Sequence, residues 1–129
     1  MAIELQMLAW AGVLGLVQVM LAAAAITRER GSKWNASARD GQPPPPGRVA
    51  GRLQRAQANF LETFPVFAAA AIAVVVAGRQ NASTGLAVQL YFWARLAYVP
   101  LYAFGVPYVR SLAWLVSLAG IVMLLKALL

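Results

Sequence analysis

Four runs of about twenty mostly apolar residues dominate this chain, and about twenty is what a helix needs to cross a ~30 Å hydrocarbon layer. They mark spans 5–26, 52–77 (whose apolar part is 59–77), 86–104 and 111–128. Lipid offers no partner to a free backbone N–H or C=O, so open strands cannot cross it and helices are the default. The first run lacks a basic leader and exceeds the length of a secretory apolar region, so it is read as a span. The connections 78–85 and 105–110 are short, which makes neighbouring helices antiparallel. The expected fold is an all-α membrane protein, a four-transmembrane-helix antiparallel bundle forming a single domain over residues 1–129.

Composition narrows the chemistry. Hydrophobic residues make up 61% and charged residues 12%, outside the range of ordinary soluble domains. There is no cysteine and no histidine. Disulfides, thiolate nucleophiles, histidine-based triads and the common zinc sites are therefore excluded, and no metal site is expected. The net charge of +7 is not read as nucleic-acid binding, because no basic aromatic module accompanies it. Seven of the eleven basic residues fall at Arg28, Arg30, Lys33, Arg39, Arg48, Arg52 and Arg55. They cluster on and around the one long connection, residues 27–47, whose GQPPPPG favours a stiff extended segment. The positive-inside tendency assigns this basic loop to the cytoplasm, with both termini on the opposite side.

Polar residues then mark one face of the second span. Arg48, Arg52, Arg55, Asn59 and Glu62 follow the spacing of a single helical stripe. Arg48 is best read as snorkelling to headgroups. Asn59 and Glu62 lie too deep for that, and an ionisable group at depth faces a partner or a cavity. On the third span Tyr91, Arg95, Tyr98 and Tyr102 share a face. At ~1.5 Å per residue, Glu62 and Arg95 sit at matching depths of roughly 10–15 Å from the basic end. The expectation is a buried Glu62–Arg95 ion pair, since either charge alone is expensive in a low-dielectric interior.

These residues predict a cavity opening toward the basic side. Arg52, Arg55 and Arg110 stand at its mouth with Arg28 nearby, Asn59, Tyr98 and Tyr102 form its wall, and Glu62 with Arg95 forms its floor. Arginine forks suit carboxylates and phosphates. Several arginines beside one carboxylate suit a small zwitterion richer in anionic groups, while lipid delivers an apolar second ligand. The small residues Gly12, Gly15 and 68–71 are read as helix packing. Trp10, Trp93 and Trp114 are read as lipid-facing or packing residues.

The stretch RLQRAQANFLETFPVF (52–67), followed by YFWARLAYVPLY (91–102) and Arg110-Ser111, resembles the MAPEG family, the membrane-associated proteins of eicosanoid and glutathione metabolism. The core from Arg55 to Pro65 is most similar to its leukotriene C4 synthase-like members. The resemblance implies a homotrimer with glutathione as co-substrate, bound between subunits near the cytoplasmic side. It further implies that Arg55, Asn59, Glu62, Tyr98 and Tyr102 hold glutathione from one subunit, with Gln57 and Arg28 reaching it from the neighbour. Arg52 would lie at the edge of the site, and Arg110 would stabilise the glutathione thiolate as the catalytic residue.

The implied activity is a transferase or peroxidase acting on a lipophilic electrophile or hydroperoxide. Leukotriene C4 synthases have tyrosine where this chain has Thr63, and prostaglandin E synthases have an arginine in place of Ala58. Neither eicosanoid product is therefore implied. Two other readings differ in class. A non-catalytic lipid-binding or regulatory scaffold would not bind glutathione. A small four-helix cation transporter would need Glu62 free to exchange protons, in a field that arginines make repulsive to cations.

Overall fold

The computed structural model describes all 129 residues as helices and connections, with no strand. In chain order these are α1 (Ile3–Arg30), α2 (Ser32–Ala36), α3 (Arg48–Val76), α4 (Ala82–Ala103) and α5 (Pro107–Leu128). Helices α1, α3 and α5 are long and apolar enough to cross a membrane. The expected third span, all but Phe104, falls in α4, which is long enough at 22 residues but less apolar, because it carries Gln89, Arg95 and three tyrosines.

Each end has a local cause. Asn81 caps α4 by accepting the Thr84 N–H at 2.9 Å while its own N–H donates to Thr84 Oγ1 at 2.8 Å, a reciprocal capping box. Pro107 opens α5, where a missing N–H removes no helical bond. Helix α3 starts at Arg48, four residues before the expected span, and runs unbroken through Pro65. The connection expected over 27–47 is shorter than its sequence implied. Helix α1 continues to Arg30 and α2 adds one turn, leaving 37–47 without regular structure. The far end of that segment is tied back to the end of α1: Arg30 Nη2 donates to Pro44 O at 2.9 Å, and the Gly47 N–H donates to Glu29 Oε1 at 2.7 Å.

Contacts along their length make α3 antiparallel to α4. Arg55 meets Tyr102, Asn59 meets Arg95 and Thr63 meets Tyr91. The core between the helices is built from Phe60, Phe67, Val74, Val88, Tyr91 and Leu124, all 1% exposed or less. Phe67 and Tyr91 stack with ring centroids 3.9 Å apart, and Tyr91 Oη shares a hydrogen bond with Thr63 Oγ1 at 3.0 Å. Tyr91 is thus a core residue, although it shares a sequence stripe with the cavity tyrosines. Gly120 lets α5 approach α4 closely, for a Cβ there would meet Ala87 O at 2.5 Å and Tyr91 N at 3.2 Å.

Candidate functional site

The polar stripe of α3 and the tyrosine face of α4 converge with the start of α5 on one open pocket of about 410 Å³. That volume lies within the range of small-ligand sites. Its walls include Arg55, Asn59 and Glu62 from α3, Tyr98 and Tyr102 from α4, and Arg110, Ser111 and Trp114 from α5. Six residues expected to share a cavity therefore do so.

Tyr102 organises the mouth. Arg55 Nε donates to its hydroxyl at 3.1 Å, and the Arg110 guanidinium lies 4.6 Å from its ring centroid. One aromatic ring thus holds two cations in place, by a hydrogen bond on one and a cation–π contact on the other. Tyr98 packs against Tyr102 with centroids 5.6 Å apart and against the Arg95 guanidinium at 4.3 Å. The aromatic pair joins the mouth to the buried end of the pocket.

The floor differs from expectation. The Glu62–Arg95 ion pair is not formed. Arg95 is 1% exposed and donates from Nη1 to Asn59 Oδ1 at 2.8 Å, leaving Nε and Nη2 without partners. The cause is helical register. With Thr63 opposite Tyr91, the residue opposite Arg95 is Asn59, and Glu62 lies nearly a turn further along α3. The depths agree to within that turn, but depth does not set the rotation of each side chain about its helix. Glu62 instead faces the open pocket.

Three other expected residues stand outside this pocket. Arg52 donates from Nη1 to Ala103 O at 3.3 Å, under the turn between α4 and α5. Gln57 lines a separate crevice of about 230 Å³ with Gln54, Asn35, Arg39 and the apolar side of α1. Arg28 is exposed near the end of α1. Within one chain, neither Gln57 nor Arg28 lines the α3–α4–α5 pocket. Sequence alone marks Trp114 as packing and Ser111 only as part of a motif, yet both line the pocket. A signal for Trp114 does exist, because it follows Arg110 by one helical turn and so shares its face.

The donor set defines what can bind. Two guanidiniums, Arg55 and Arg110, present forks suited to carboxylates, while Glu62 offers an acceptor for an ammonium group. Arg95 is held back by Asn59 and supplies positive potential from below. A small zwitterion with more anionic than cationic groups fits this set.

No curated protein matches the chain. A sequence model of the MAPEG family matches residues 7–129, which takes in every element of the pocket, and the chain belongs to that family.

Proposed function

We propose that this protein is a membrane glutathione transferase or peroxidase, with glutathione held in the α3–α4–α5 pocket. The observation that carries the reading is the convergence of Arg55, Arg110 and Glu62 on one open hollow between apolar helices. Membership of a family that includes glutathione transferases and peroxidases supports it. Glutathione carries two carboxylates, one ammonium and a thiol. Arg55 and Asn59 would hold a carboxylate end, Glu62 the ammonium, and Tyr98 and Tyr102 would shape the wall.

Glutathione supplies the nucleophilic sulfur that this cysteine-free chain lacks. Arg110 is the residue placed to stabilise the thiolate. A free thiol titrates near ~8.5, and an adjacent guanidinium favours the charged form. Arg110 is half-buried and stacked on Tyr102, so its charge is less screened than that of a residue in open water. The second substrate is a lipophilic electrophile or hydroperoxide reaching the hollow from the bilayer. We further propose that α4 is a fourth span, sheltered by its neighbours because its polar face turns inward. In this arrangement three chains assemble so that Gln57 and Arg28 of one approach the pocket of the next.

Calorimetry with glutathione in detergent tests the reading. Saturable binding is expected, and absence of binding at millimolar ligand would leave the scaffold reading in its place. Arg110→Ala is expected to lower turnover about a hundredfold, the scale of losing one transition-state charge stabiliser, while much of the affinity survives. Unchanged turnover in that variant would remove Arg110 from the mechanism.

A further inference from the structure

We infer that Arg52 is a positioning residue for Arg110, acting through the turn that joins α4 to α5. The inference deepens the proposed function and rests on the role given there to Arg110. Its sequence position at the edge of the arginine stripe makes Arg52 look like one more ligand. Its surroundings are different. The guanidinium is half-buried beneath residues 103–105, with Nη1 donating to Ala103 O at 3.3 Å. A Cβ placed on Gly105 would lie 2.7 Å from Nη2 and 2.8 Å from Cζ. Gly105 also has φ 71°, a backbone conformation other residues enter only with strain. The bend itself calls for glycine, and any side chain there would push the Arg52 guanidinium away from the turn.

The turn closes with the Gly105 N–H donating to Tyr102 O at 3.0 Å and the Val106 N–H donating to Leu101 O at 2.9 Å. These bonds occupy carbonyls at the end of α4 that have no helical partner. Arg52 occupies a further one and places a positive charge at the negative end of the helix. The consequence lies one turn downstream. Arg110 is in the first turn of α5, and its distance from Tyr102 is set by how residues 104–106 bend. Arg55, Asn59, Glu62 and Tyr98 come from α3 and from earlier in α4, so they do not depend on that bend. Arg52 thus holds the thiolate-facing arginine without holding the rest of the wall.

Arginine-selective ¹⁵N NMR in detergent, without glutathione, tests this directly. The Arg110 Nε–H resonance is assigned by its loss in Arg110→Lys, and in wild type it carries the ring shift of Tyr102. In Arg52→Ala it is expected to move toward the position of free arginine, and a resonance that stays in place overturns the inference. Arg52→Lys keeps the cation but not the fork. It should show a smaller shift of the same sign and serves if Arg52→Ala does not fold.

With glutathione bound, titration of thiolate absorbance should show the apparent pKa of the thiol raised by about one unit in Arg52→Ala, a tenfold smaller thiolate fraction below it, with affinity little changed. The opposite split, weaker affinity with an unmoved pKa, makes Arg52 a ligand and overturns the inference. If wild type binds no glutathione, the proposed function fails while the Arg110 resonance still decides the part played by Arg52.

Discussion

Arg95 shows how a buried cation is accommodated where no carboxylate reaches it. Its guanidinium has one neutral acceptor, Asn59, and two aromatic faces, Tyr98 at 4.3 Å and Phe60 at 5.6 Å. Removing the acceptor strands a charge in the core, whereas removing both partners leaves an apolar contact. We expect Asn59→Leu to destabilise the protein by about 2 kcal/mol, the scale of a hydrogen bond to a charged group. The double variant Asn59→Leu with Arg95→Leu should recover most of that loss, as buried polar pairs replaced by apolar residues often do. Unfolding in a graded detergent mixture measures both, and a double variant weaker than the single would show that the pair stabilises the fold outright.

At the scale of the helix, the same register that denies Glu62 to Arg95 frees Glu62 for the pocket. The sequence stripe on α3 predicted which residues share a face, because 3.6-residue periodicity is local. It could not fix the rotation of α3 against α4, which follows from Phe60, Phe67 and Tyr91 interlocking. Close approach of α4 and α5 depends likewise on a single position. Gly120→Leu places side-chain atoms where Ala87 O and Tyr91 N already lie. It is expected to cost about 3 kcal/mol, the upper range for overpacking. At Gly12 an added Cβ would meet nothing within 4 Å, so Gly12→Ala should instead stabilise α1 by up to about 1 kcal/mol through helix propensity. Thermal unfolding of the two variants in one detergent checks the opposite signs.

For the whole molecule, sidedness and span number are one question. The absence of cysteine allows single-cysteine labelling with a membrane-impermeant maleimide. Ser37→Cys lies in the long connection, and Ser83→Cys and Tyr108→Cys lie in the first turns of α4 and α5; all three positions are exposed. With four spans and the basic loop in the cytoplasm, Ser37→Cys and Tyr108→Cys label in inside-out vesicles and Ser83→Cys in right-side-out ones. If Tyr108→Cys labels with Ser83→Cys, α4 does not cross.

Much of this protein was written along its chain: helical runs, a basic end, and a stripe of arginine, asparagine and glutamate beside a stripe of tyrosines. Those are local properties, fixed by apolar run length and by helical periodicity. Packing alone decided that Arg95 takes Asn59, that Arg52 lies under a turn, that Tyr91 is core and that Trp114 joins the pocket. The physical reason is that a helix fixes the angle between its own side chains. Its rotation against a neighbour is settled only when bulky residues from different parts of the chain interlock.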